Sequence, residues 1–145
     1  MKILVYFPTN ARAIDQISVM EMFIKSGHEV YLLTQTEKGN LHYLSEKLGV
    51  KTYSYSIRKT NPFSFYIKHA FFLIKFCHHH RIDIIFSHLH DTGITCVLAK
   101  PFLKARTFFV RHNTDEGKLL SPKKSFVINL IINTFSTNII APSKA

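Results

Sequence analysis

The run Lys2–Phe7, KILVYF, is continuously apolar after its first residue. A strand with one wet face alternates apolar and polar side chains, so an unbroken run belongs to a strand buried on both faces. Similar runs recur at His28–Thr34, Val50–Tyr55, Asp83–Ser87, Arg106–Val110 and Asn138–Ala141. Helical patterns fill the gaps. Ile14, Ile17, Met20, Phe23 and Ile24 share one stripe, closed by Gly27, and Glu21 with Lys25 makes an i,i+4 pair. Ser18-x-x-Glu21 has capping-box spacing but lies inside that stripe, so it is discounted. Leu41, Leu44 and Leu48 mark a short helix before Gly49. Pro62 opens a longer one to about Arg81. Another is expected from Asp91 to about Lys104, broken near Pro101, and a last from Ser121-Pro122 to about Phe135.

Regular strand–helix alternation with short connections predicts an α/β fold. The expectation is one Rossmann-like domain over residues 1–145: a doubly wound parallel sheet of about six strands, order 3-2-1-4-5-6, with helices on both faces. Hydrophobic residues make up 46% of the 145, which supports a real core and excludes disorder. No run approaches a membrane-spanning length, and the apolar start is too short for a signal peptide. The two cysteines, Cys77 and Cys96, sit in apolar runs without a CxxC partner, so a reducing, cytoplasmic setting is expected.

In a doubly wound sheet, ligands bind beyond the carboxyl ends of the strands, where the strand order reverses. Here that places Thr9, Asn10 and Arg12 after the first strand. His88, His90 and Asp91 follow the fourth, and Arg111, His112, Asn113 and Asp115 the fifth. Titratable side chains therefore gather on one rim, although loops are polar in any fold. His112 follows a buried strand, and its imidazole suits hydrogen bonding to a sugar hydroxyl or phosphate, or acid–base work. A local backbone contact is the bland alternative for it. His88 and His90, two apart in an extended segment, would face one side, yet no third ligand lies near in sequence, so no metal site is assigned. His78–His80 would fan out around a helix and reads as a polar helix end. GxGxxG, GxxxxGK[ST] and GxSxG are all absent, which removes the specific support for dinucleotide, P-loop and serine-hydrolase chemistry.

The formal charge is +10, with 8 basic and 5 acidic residues in 1–60 and 11 and 4 in 61–145. Such a field favours anionic partners. No recognition-helix or RNA-binding signature accompanies it, so no specific nucleic-acid partner is expected. Phe63–His80 is aromatic and basic, and Ser121–Phe135 opens on Lys123-Lys124. Both segments suit an anionic membrane surface, or equally core-covering helices with snorkelling lysines.

The order MKILVYFP, SGHEVYLLT, RIDIIFSHLHDTG, FFVRHNTD and NIIAPSKA resembles the amino-terminal domain of family 4-type glycosyltransferases, which have the two-domain GT-B fold. Gly27-His28-Glu29-Val30 matches a common entry to the second strand, and His88 falls at the last His of a D-V-V-H-x-H-like segment. The resemblance implies that this half binds a saccharide or lipid-linked acceptor of the cell envelope. The donor, a nucleotide-sugar acting as co-substrate, would lie on a carboxyl-terminal domain or partner chain. His112 would stand by the donor sugar and the reacting centre, and no cofactor or metal is implied. Activity would lie in the cytoplasm, extending to the inner face of the membrane. Two departures are noted: no Gly-Gly turn follows the first strand, and the sequence ends at Ala145, where the second domain is expected. The chain alone is therefore expected to be inactive. The alternative is a stand-alone Rossmann-like binding module working with a separate partner domain.

Overall fold

A computed structural model describes residues 1–11, 13–110, 126–127, 130–131 and 134, with the backbone of 138–140. Strand β1 (Lys2–Phe7) runs parallel to β2 (Glu29–Thr34) on one side and β4 (Ile84–His88) on the other. β3 (Lys51–Ser54) flanks β2, while β5 (Arg106–Val110) and β6 (Asn138–Ile140) extend the sheet beyond β4. The order is β3-β2-β1-β4-β5-β6, so the expected doubly wound topology holds.

The unbroken apolar character of β1 has the expected cause. Leu4 and Tyr6 enter one core with Tyr31, Leu33 and Ile85, and Val5 and Phe7 enter another with Val30 and Leu32. The first core is roofed by α3 (Pro62–His80) and α4 (Leu89–Ala99) through Leu73, Phe76, Cys77, Cys96 and Ala99. The second is roofed by α1 (Ile14–Lys25) and α2 (Asn40–Glu46) through Met20 and Leu41.

Helix ends follow local chemistry. The carbonyls of Ile24 and Phe23 accept from the N–H groups of Gly27 and His28, with Gly27 at φ +79, a conformation that a side chain disfavours. The Glu21–Lys25 pair forms at 2.8 Å, and Ser18 lies within α1, so the capping-box spacing was rightly set aside. Asn61 caps α3, its Oδ1 accepting from the Phe63 N–H at 2.9 Å, with Pro62 at the first helical position. α4 stops at Ala99, and a 3₁₀ turn, Lys100–Phe102, accommodates Pro101. In the expected 121–135 helix, the described residues 126, 127, 130, 131 and 134 are helical, while Ser121-Pro122 and Lys123-Lys124 lie outside the described residues.

The histidine run forms the polar last turn of α3, with the His80 ring turned onto aromatic neighbours. His80 packs its ring on Tyr31, Tyr53 and Phe76, and burial, with His79 and two lysines nearby, lowers its pKa. His78 instead meets the Phe102 carbonyl at 3.0 Å. No group of three metal-ligating side chains occurs among the described residues.

Cys77 and Cys96 are both free and buried. Burial raises both thiol pKa values, Cys96 to about 12, which suppresses the nucleophilic thiolate. Neither thiol should react with an aromatic disulfide reagent in the native protein, and both should react in denaturant. Rapid native labelling of either would contradict the packing of α3 on α4.

Candidate functional site

The carboxyl edge of the sheet is built from the loops after β1, β2, β3 and β4. After β1, Thr9 is exposed and Asn10 half-buried. Asn10 clips the neighbouring loop: its Nδ2 donates to the Glu37 carbonyl at 2.8 Å, and its own carbonyl accepts from the Leu41 N–H at 3.1 Å. The approach is close enough that a Cβ on Gly39 would meet the Asn10 side chain at 2.8 Å, so glycine is required there by contact and not by φ. Asn10 is thus half occupied in holding the rim together.

His42 holds the same loop from below. Its Nδ1 accepts from the Gly39 N–H at 3.0 Å, which leaves the ring hydrogen on Nε2. Nε2 then faces the Thr34 hydroxyl at 3.0 Å and the Tyr53 carbonyl at 3.2 Å. The Thr34 hydroxyl donates onward to the Thr36 carbonyl, so it accepts from His42. Burial lowers the imidazole pKa, consistent with a neutral ring. Nothing in the spacing of Leu41, Leu44 and Leu48 singles out this residue.

After β4 the outcome differs from the sequence reading. The expected strand Asp83–Ser87 runs instead Ile84–His88, and α4 begins at once with Leu89 in place of Asp91. Leu89 makes this possible at φ +68, a left-handed conformation costly for a branched side chain. Strain of this kind gathers where a fold over-determines a functional turn. As a result His88 and His90 do not share one extended face. His88 ends the strand, 2% exposed, its ring 5.6 Å from that of Phe7, while His90 is half-buried in the first helical turn. The Thr92 hydroxyl donates back to the His88 carbonyl and secures the turn.

Asp91 stands on that same first turn, on the rim as expected. It receives the Tyr66 hydroxyl at 2.5 Å and the Lys59 ammonium at 3.3 and 3.4 Å. Lys59 also lies over the Phe65 and Tyr66 rings, at 5.1 and 5.3 Å. Burial, then the Asp91 contact, raises the Tyr66 pKa, so the hydroxyl stays protonated as a donor. The result is a part-exposed carboxylate with one cation and one hydroxyl beside it, suited to hydrogen-bonding polyhydroxylated ligands. Lys59 and Tyr66 escape sequence reading because they lie 32 and 25 residues from Asp91, and they meet it only through the packing of α3, with the loop before it, beside α4.

Arg12, Arg111, His112, Asn113 and Asp115 lie outside the described residues. The structure therefore brings Thr9, Asn10, His90 and Asp91 to the carboxyl edge and buries His88 beneath it. Two cavities, of about 350 and 410 Å³, open at the opposite edge and contain none of these residues.

A family profile described as Glycosyltransferase Family 4 matches residues 17–145, most of the chain. The chain belongs to glycosyltransferase family 4. A sequence comparison with curated proteins finds no match. Solved structures share the fold at low identity. A glycosyltransferase from Rickettsia africae matches with TM-score 0.70 and 13% identity over 97% of this chain and 36% of its own. The Anabaena protein HepE in complex with UDP gives 0.75 and 14% over 99% and 38%. MurG of Acinetobacter baumannii gives 0.71 and 15% over 99% and 42%. The family 4 chain thus has the fold of a GT-B amino-terminal domain and spans about two fifths of the length of these proteins. UDP-N-acetylglucosamine 2-epimerases, among them one from Neisseria meningitidis bound to UDP-GlcNAc, share it too, with TM-score 0.72 at 18% identity, so the fold by itself does not name the reaction.

Proposed function

We propose that this family 4 chain is the acceptor-binding half of a glycosyltransferase. The whole enzyme would move a sugar from a nucleotide-sugar to a cell-envelope saccharide or lipid-linked acceptor, in the cytoplasm at the inner face of the membrane. The donor would sit on a second domain, either a continuation of this chain or a separate partner chain. The family match, which runs through every rim loop from β2 onward, carries this reading. The modest share of each structural neighbour that the chain spans supports a second domain. The nucleotides bound to HepE and to the Neisseria epimerase support a nucleotide-sugar donor.

In this reading Thr9, Asn10, His90 and Asp91 present hydrogen-bonding groups to acceptor hydroxyls. His112, with Arg111, Asn113 and Asp115, borders the reacting centre, and His112 stands by the donor sugar. Arg12 would approach the donor phosphates. The chain's own contribution is orientation: the Asn10–Gly39 contact and the Lys59–Tyr66–Asp91 cluster hold the acceptor wall rigid before substrate arrives. A saccharide on such a preorganised wall is placed for transfer once the donor wall closes on it.

The test compares residues 1–145 with the same chain joined to a family donor domain, using a radiolabelled nucleotide-sugar and envelope glycans as acceptors. Transfer is expected only from the joined protein, with acceptor binding alone by the shorter chain. Turnover by residues 1–145 unaided would overturn the half-enzyme reading. Absence of acceptor binding by either protein would overturn the acceptor assignment.

A further inference from the structure

One face of the domain is not explained by the sheet, its cores or the rim. On α3, Phe63, Ile67, Phe71 and Ile74 follow one stripe at helical spacing, with Phe63 75% and Phe71 63% exposed. Across a shallow groove of about 270 Å³ stand Leu98 and Phe102, 40% and 65% exposed. Large side chains are rarely left this open together on one surface without a partner.

The charge around the groove is predominantly positive. Lys68 and Lys75 share a ridge with Phe71, at i, i+3 and i+7, and all three are exposed. On the far side of Phe102, whose carbonyl meets His78, the 350 Å³ cavity is walled by Arg81 and Lys104. Residues 62–82 and 92–110 contain no Asp or Glu. Among the described residues the one carboxylate on this face is Asp83, which lines the same cavity and accepts from the Lys2 backbone N–H at 2.7 Å. Lys68, Lys75, Arg81 and Lys104 have no ion pair among the described residues. Arg81 sits at φ +55, at the helix-end position where glycine is the ordinary choice, so an exposed cation is kept there against backbone preference.

We propose that this face docks on an anionic lipid bilayer. The phenyl rings of Phe63, Phe71 and Phe102 enter the interfacial layer, and Lys68, Lys75, Arg81 and Lys104 meet headgroup phosphates. No helix among the described residues is long and apolar enough to cross a membrane, so α3 lies along the surface. A second copy fits poorly, because a symmetric contact would press four cations per face together with only Asp83 to offset them. The inference rests on the proposed function only for its purpose, a lipid-linked acceptor, since the surface uses none of the rim residues. Lipid binding and sugar transfer can therefore fail independently.

The experiment is sedimentation of the purified chain with phosphatidylcholine vesicles, with and without phosphatidylglycerol, free of donor and acceptor. Binding is expected only with the anionic lipid and should weaken as salt rises. The triple variant Lys68→Gln, Lys75→Gln, Lys104→Gln should lose about a hundredfold in partitioning, at roughly fivefold per charge. Phe71→Ser with Phe102→Ser should lose roughly tenfold per ring. Met22→Ser with Tyr43→Ser, on the exposed α1–α2 side, should bind as the parent does. All of these sites are exposed, so circular dichroism should report native folding for each variant. Equal binding to neutral vesicles, no binding at all, or equal loss from the Met22–Tyr43 variant would overturn the proposal. A concentration-dependent dimer in ultracentrifugation, abolished by Phe71→Ser, would assign the face to a second copy instead.

Discussion

Leu4→Ala is expected to lower the unfolding free energy by about 3 kcal/mol, near the middle of the range for leucine truncation in packed cores. Leu4 is 0% exposed in the central strand. Its backbone neighbours across the sheet are Tyr31 on one side and Ile85 on the other, both buried, and α3 and α4 close the same core above it. Strand backbones hydrogen-bonded on both sides cannot shift to fill the vacancy, so both transfer and cavity terms apply. In a domain of this size the melting temperature should fall by roughly 6–12 °C. Phe71→Ala, which removes a larger but exposed side chain, should change stability by no more than about 0.5 kcal/mol. Chemical denaturation of the two variants side by side is the check. A loss below about 1 kcal/mol for Leu4→Ala would mean that the Leu4 face of β1 is not enclosed by α3 and α4.

Acid should destabilise the domain through His69, and His69→Leu should remove that part of the loss. His69 lies in α3, 1% exposed, its ring 4.4 Å from Phe65 and 5.0 Å from Tyr55. Its Nε2 has no hydrogen-bond partner among the described residues. Burial lowers its pKa from 6.5 to about 4, with Asp91 acting in the opposite direction. Between those values the unfolded chain binds a proton that the native state refuses. The stabilisation is therefore whole above the unfolded pKa and is lost as pH falls through the folded one, by up to about 3 kcal/mol. His42 and His80, also lowered by burial, add to the same acid limb, so the difference between parent and variant isolates His69. Unfolding free energies measured from pH 7 down to pH 4 should converge on a flatter line for His69→Leu. Parallel slopes would show that native His69 takes up its proton as readily as in the unfolded chain.

The sheet order was readable because it follows from short-range pattern. A run such as Lys2–Phe7 can satisfy its side chains only between two layers, and helical stripes between such runs leave parallel pairing as the ordinary outcome. Gly27, Asn61-Pro62 and Pro101 act on their own backbones, so the helix ends they set were close to legible. The turn after β4 was not. Its geometry depends on Leu89 holding φ +68, a conformation that leucine's own preferences oppose and only the surrounding fold enforces. The reading of His88 and His90 as one extended pair failed for that reason.

The candidate site divides along the same line. Pattern was enough to name the carboxyl edge and the residues after β1 and β4, since strand ends and topology locate the rim. What each side chain does there depended on partners distant in sequence. Asp91 meets Tyr66 and Lys59 only because α3, with the loop before it, lies beside α4, Asn10 meets Gly39 only because two loops touch, and His88 goes under the rim because Phe7 receives it. Periodicity and local turn chemistry are properties of consecutive residues, so the sequence by itself determined the elements, their order and the edge on which the candidate residues lie. Which polar groups are spent on holding the fold, and which stay free to meet a ligand, was decided by the tertiary structure, because long-range contacts are made between residues that no local pattern relates.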